Sequence, residues 1–185
     1  LWRPISQLPY LNLIQGHSHV AFLGWGYLAA ILVIRRLFLK ENQPRRPLYK
    51  PMLYIIIVTV SAMLVSFPLY GYKVFSIALL TLFGISSFIL SIGFLKDVKG
   101  HSADVYFIHY GLYCYLLSSL ATWSLPYVVI NYGKEALYYN IVYAYLHFLY
   151  NGFFVFILFG CLFKLFEKSL ADVPEKTQRS FFYFL

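Results

Sequence analysis

Five long apolar runs, separated by short charged segments, constrain this chain more than any other feature. They extend over about residues 10–34, 52–68, 74–95, 103–130 and 140–163. About 20 apolar residues span a bilayer core as a helix, and no run alternates with the period of two typical of membrane barrel strands. Only 12% of the residues are charged, and the mean hydropathy is +0.68. The sequence therefore predicts an all-α integral membrane bundle of about five transmembrane helices, a single multi-pass domain over residues 1–185 without an internal repeat.

Basic residues are distributed unevenly between the segments that join these spans. Twelve of the 15 fall in residues 35–51, in residues 96–102 or after residue 163, and only Arg3, Lys73 and Lys134 fall on the other side. The positive-inside rule then predicts an outer N-terminus and a cytoplasmic C-terminus, which we expect in a bacterial inner membrane. The net charge of +8 thus reflects topology and contact with lipid headgroups rather than nucleic-acid binding.

The tail, residues 172–185, turns apolar again in its last residues, which read SFFYFL. A short apolar run of this kind is typical of an interfacial anchor or of the start of a further span. We favour the second interpretation, which implies that the natural chain continues past residue 185.

Three of the five histidines share one predicted depth in the membrane. His17 and His19 lie seven and nine residues into the first span, and His147 lies seven residues into the fifth, so that all three are roughly 10–14 Å below the outer boundary. Ionisable residues inside a membrane are costly and are functional candidates by default. His101 and His109 lie near the cytoplasmic start of the fourth span, where a structural role is expected.

The positions of the acidic residues limit which metal or cofactor the three histidines at this depth can bind. None of the seven lies deep in a span, which excludes a di-iron carboxylate site. Imidazoles without carboxylates suit haem iron or copper. His17 and His19 are two residues apart and point about 200° from each other on a regular helix, so they are suited to bind two groups on opposite sides of the helix rather than one ion. Asn151, one turn beyond His147, faces the same way and is suited to orient that ring or a ligand.

The stretch GHSHVAFLGWGYL resembles a helix in subunit I of cbb3-type haem–copper oxidases. The matching positions are Gly16, His17, His19, Leu23, Gly24 and Trp25. In that family the first histidine ligates the high-spin haem and the second the low-spin haem, and the resemblance implies these roles for His17 and His19. The stretch YLHFLYNGFF, residues 145–154, is similar to bacterial membrane proteins described as oxidase subunit I-like.

This chain also departs from that family. A complete oxidase requires six histidine ligands and about twelve spans, whereas this chain has five histidines and five predicted spans. The prediction is therefore a haem b-binding membrane subunit, with copper as the alternative and with His17, His19 and His147 as ligands, for electron transfer or for redox or gas sensing. The expected partners are lipids and either other respiratory-complex subunits or further copies of the chain. The rival interpretation is an accessory or assembly subunit whose histidines are structural.

Overall fold

The structure, a computed structural model, describes residues 9–39, 47–166, 176–177 and 180. Within these ranges the regular elements are all helical, and five helices are long and apolar enough to span a membrane, which confirms the predicted all-α multi-pass architecture. They are α1 (Tyr10–Phe38), α2 (Tyr49–Tyr70), α3 (Val74–Asp97), α4 (Ala103–Tyr132) and α5 (Ala136–Leu165). Residues 40–46 of the basic loop and the last five residues of the tail lie outside the described residues.

The helices are regular because lipid offers no partner for backbone groups, so each span must satisfy its own. Polar side chains inside the spans follow the same rule. The Thr59 hydroxyl donates to the Ile55 carbonyl at 2.8 Å, and the Ser119 hydroxyl donates to the Tyr115 carbonyl at 2.9 Å. Helix α2 ends at Tyr70, and the next residue, Gly71, has a φ of 60°, outside the right-handed helical region that other residues prefer.

Contacts divide the chain into two compact units. Of the described residues, 9–31 and 47–90 form the first unit. In it, α1 approaches α2 closely at Gly16, where an added Cβ would lie 3.0 Å from Pro68 Cδ. The Tyr27 hydroxyl, fully buried, donates to the Ser87 carbonyl of α3 at 2.8 Å. Small residues at the contact and one interhelical hydrogen bond are the usual means of association between membrane helices.

Of the described residues, 32–39 and those from residue 91 onwards form the second unit. Helices α4 and α5 pack along their length, with Gly111 against Ile157 and Gly160 against Ile108. An ion pair closes the predicted cytoplasmic end, where Lys164 Nζ lies 3.7 Å from Asp104 Oδ2. The fourth and fifth spans are thus held together by close backbone approach and by charge at one end.

Two π segments interrupt otherwise regular helices. The first, Val20–Gly26, lies in α1, and the second, Phe148–Phe154, lies in α5. Each begins directly after a histidine, His19 or His147, of the predicted site. Single π turns inside α-helices are often found at functional sites. The assumption of an undistorted helix through the first span is therefore wrong beyond His19, although the helix is regular up to that residue.

Candidate functional site

His19 is the most contacted of the predicted site residues. Its ring lies against Phe67 of α2, with centroids 4.5 Å apart, and Nε2 is 2.9 Å from the Tyr72 hydroxyl in the turn between α2 and α3. Tyr72 and Phe67 also meet edge to face at 5.2 Å. The imidazole is thus enclosed by α2 and by the outer turn that follows it.

One tautomer of His19, with the proton on Nδ1, is compatible with both of its hydrogen bonds. The Ser18 hydroxyl donates to the Gln15 carbonyl at 3.0 Å, so its oxygen is left as an acceptor for the Nδ1–H of His19 at 3.4 Å. In the neutral ring Nε2 is then unprotonated and accepts the hydrogen bond from Tyr72. The hydroxyl therefore occupies the lone pair that a metal would otherwise use.

The turn that carries Tyr72 is held by α1 itself. An added Cβ at Gly71 would lie 2.7 Å from Oδ1 of Asn12, so the Asn12 side chain packs directly on the turn. Since Gly71 also has a positive φ, both the space and the backbone conformation require glycine. Asn12 and Gly71 together position the Tyr72 hydroxyl over His19.

His17 leaves α1 on a different side from His19. Its side chain is exposed, and it makes no hydrogen bond with any residue that the structure describes. Trp25, 78% exposed, and Leu11, 64% exposed, also lie on the surface of this helix. The two histidines thus have different surroundings, whereas their binding of two separate groups stays a prediction.

His147 is exposed on α5, and the contacts described below come from residues of the same helix. Nδ2 of Asn151 lies 3.2 Å from its Nδ1, as the four-residue spacing predicts, and the ring stacks on Tyr143 with centroids 6.4 Å apart. Nε2 makes no hydrogen bond within the described part of the chain. A half turn of the Asn151 amide would present Oδ1 to an Nδ1–H, which leaves Nε2 as a free lone pair.

The predicted ligands belong to both units, with His17 and His19 in the first and His147 in the second. Within the described ranges, no three His, Cys, Asp or Glu side chains lie together in a group that could hold a metal ion. The shared role of the three histidines therefore stays a prediction. His109, expected to be structural, bonds through Nε2 to the Val98 carbonyl at 2.9 Å.

Tyr72 is the site residue that the sequence analysis missed. Its position at the outer end of a span is typical of an interfacial aromatic, which is how such residues are ordinarily interpreted. Gly71 is the sequence feature that could have indicated this role. A glycine between two closely spaced spans is typical of a tight turn, in which the next side chain can fold back towards the preceding helices.

Comparisons with protein-family models, with curated protein sequences and with solved structures found no match. The fold by itself defines the class, a multi-pass helical membrane protein whose apolar surfaces contact lipid. The resemblance of the first span to an oxidase helix stays a prediction.

Proposed function

We propose that this protein binds haem b in the outer half of a bacterial inner membrane, with copper as the less favoured alternative. Its role is electron transfer, or redox or gas sensing, beside a respiratory complex. Other subunits of that complex, or further copies of this chain, are the proposed protein partners.

The observation that carries the proposal is the exposed pair His147 and Asn151 in a membrane span. A polar group that faces hydrocarbon without a hydrogen-bond partner destabilises the protein by an amount on the order of several kcal/mol. Both side chains are exposed on α5, and the imidazole keeps one nitrogen without a hydrogen bond. A metal centre seated on Nε2 would use that nitrogen and would cover this part of the helix surface.

The donor set fits haem iron or copper at His147 best. With its amide rotated by a half turn, Asn151 would accept a hydrogen bond from Nδ1–H of His147, which is the orienting contact that metal-bound imidazoles ordinarily have. Tyr143 and Phe148 add apolar ring surface beside it. His17 has a free ring but no orienting partner in the described ranges, and His19 fits only when the Tyr72 hydroxyl leaves its Nε2.

Haem b supplies an iron that passes between ferrous and ferric states and so carries one electron at a time. The residues of this chain would hold that iron at His147, fix the imidazole plane through Asn151 and place the rings of Tyr143 and Phe148 beside it. These features determine whether a haem is held, and they tune its potential through burial and hydrogen bonding.

The direct test is the absorption spectrum of the purified full chain, together with its iron and copper content. We expect a red protein with a Soret band that shifts on reduction. A colourless protein with copper would support the copper alternative. A colourless protein without either metal would contradict the proposal.

One observation favours a second function, that of an accessory or assembly subunit. The bond between Tyr72 and His19 ties a turn to α1 without any cofactor, and membrane histidines often serve in this way. In that case the protein is colourless, and removal of His19 lowers stability without changing any spectrum.

The orientation that underlies the depth argument is tested by labelling. Lys73, Lys134 and Lys99 are all exposed, but the basic-residue count predicts that only the first two face outward. Single cysteines at Lys73 or Lys134 should react with an impermeant maleimide in intact spheroplasts, and a cysteine at Lys99 should react only after lysis. Labelling of Lys99 alone in intact cells would reverse the orientation. The parent, whose Cys114 and Cys161 lie within spans, measures the background.

A further inference from the structure

Helices α1 and α5 can be aligned at one constant offset without a gap, with six identical positions. The alignment superposes the two histidines that precede the π segments, and the C-terminal ends of the two helices agree to within one residue. The identical pairs are Tyr10 and Tyr138, Asn12 and Asn140, His19 and His147, Gly24 and Gly152, Leu37 and Leu165, and Phe38 and Phe166. Arg36 and Lys164, both basic, also correspond.

The backbone repeats together with the sequence. Both π segments are 7 residues long and begin directly after the aligned histidine. The residue that follows each segment donates its backbone N–H to a carbonyl five residues earlier, which is the hydrogen bond that defines a π turn. These bonds are Tyr27 to Phe22 in α1 and Val155 to Tyr150 in α5.

In both helices a glycine, Gly24 or Gly152, lies five residues after the histidine and packs closely against a neighbouring helix. A Cβ at Gly24 would lie 2.5 Å from Val60 Cγ1 of α2, and one at Gly152 would lie 2.5 Å from Cys114 Cβ of α4. In each unit the π turn therefore brings helix backbone directly against a neighbouring helix. A close contact of this kind fixes the rotation of the helix and hence the direction of the histidine.

The two copies differ in what meets the imidazole. In the first, Tyr72 bonds Nε2 of His19 at 2.9 Å, and Phe67 covers the ring. In the second, His147 is exposed, and among the described residues its hydrogen bond is to Asn151, through Nδ1. The position of Asn151 corresponds to Leu23 in α1, so the orienting amide occurs only in the open copy.

We infer that α1 and α5 carry two copies of one imidazole-presenting element, and that the Tyr72 hydroxyl closes the first copy while the second is open to a ligand. The ligand class is a metal centre or another electrophile that takes the Nε2 lone pair. The assignment of a metal centre as the ligand rests on the proposed function. The difference between His19 and His147 in the accessibility of Nε2 does not depend on it. Withdrawal of the hydroxyl would expose a second, equivalent nitrogen at His19.

Diethyl pyrocarbonate, which acylates unprotonated imidazole nitrogens, tests access without any cofactor. The rate at each histidine is read by peptide mass spectrometry of the full chain in detergent. His17, exposed two residues away in the same helix, serves as the internal reference for His19. We expect His19 to react slowly in the parent. In Tyr72→Phe its rate relative to His17 should rise roughly fivefold, the factor that a typical net hydrogen bond represents.

Tyr70→Phe is the matched control, because Tyr70 is 50% exposed and Tyr72 is 51% exposed at the same end of α2. It should leave the rate at His19 unchanged. Tyr72→Phe keeps the ring that packs on Phe67, so the fold is retained. Equal rates at His19 in the parent and in Tyr72→Phe would overturn the inference, as would an equal rise in Tyr70→Phe. A colourless parent with the expected rates would refute haem binding and leave the closure by Tyr72 intact.

Discussion

Gly152→Ala is expected to destabilise the second unit by about 1–3 kcal/mol, the usual cost of overpacking a close contact. The new methyl would lie 2.5 Å from Cys114 Cβ and 2.8 Å from its Sγ, so one helix must move. The contact is made by a Cβ rather than by the end of a flexible side chain, and it cannot relax by rotation. Unfolding of the purified protein by SDS titration, followed by circular dichroism, measures the effect.

Gly24→Ala provides the parallel test in the first unit. Its methyl would meet Val60 Cγ1 at 2.5 Å, and we expect a loss of similar size. The double variant Gly24→Ala with Val60→Ala removes the clashing atom, so the two changes should be strongly non-additive. Additive losses of stability in this double variant would show that the clash between residue 24 and Val60 is not the cause of the destabilisation. No loss in Gly152→Ala would contradict the packing of α5 on α4.

The spans were predictable because their length and composition are dictated by the bilayer. The predicted starts at Tyr10, Val74 and Ala103 agree with the structure, since each follows charged or turn-forming residues. Helix α2 starts at Tyr49, three residues before the predicted start at residue 52, and α5 starts at Ala136, four residues before the predicted start at residue 140, so that Pro51 lies inside the first turn of α2. Proline is tolerated in the first turn of a helix, where its missing N–H has no partner to lose.

The different surroundings of His17 and His19 were also predictable, because they follow from helix geometry alone. The contact of Asn151 with His147 follows from the same geometry and is present at 3.2 Å. The hydrogen bond between Tyr72 and His19 was not predictable, because it depends on how a turn 53 residues away folds back over α1. Local periodicity contains no information on such a contact.

The π segments and the correspondence of α1 with α5 escaped the sequence analysis for a related reason. The spans draw on a restricted set of apolar residues, so six identities between α1 and α5 do not stand out in the sequence. Only the residues that the geometry requires stay recognisable, and here these include the histidine and the glycine five residues later. The pairs His19 with Gly24 and His147 with Gly152 were visible in the sequence, but their meaning depends on the π turn between them.

Removal of the His147 imidazole is expected to have the largest effect on cofactor binding. In His147→Ala we expect the haem to be lost or its spectrum to become high-spin, because the imidazole nitrogen left free by Asn151 is the proposed axial ligand. Asn151→Leu keeps the ligand and removes only its orienting partner, so we expect an intermediate weakening of about 10–100-fold in affinity. Haem titration of each variant, followed at the Soret band, measures both effects.

The position of His147 allows a control that separates ligation from folding. Because the residue is exposed, His147→Gly leaves a gap that free imidazole can reach, and added imidazole should restore the parent spectrum in a folded protein. His101→Ala, which removes an exposed histidine of the same unit at the start of α4, should leave the spectrum unchanged. A haem spectrum that persists in His147→Ala would exclude this residue as the ligand. If the spectrum were then lost in His17→Ala, the site would move to the exposed side of α1, where the other free imidazole lies.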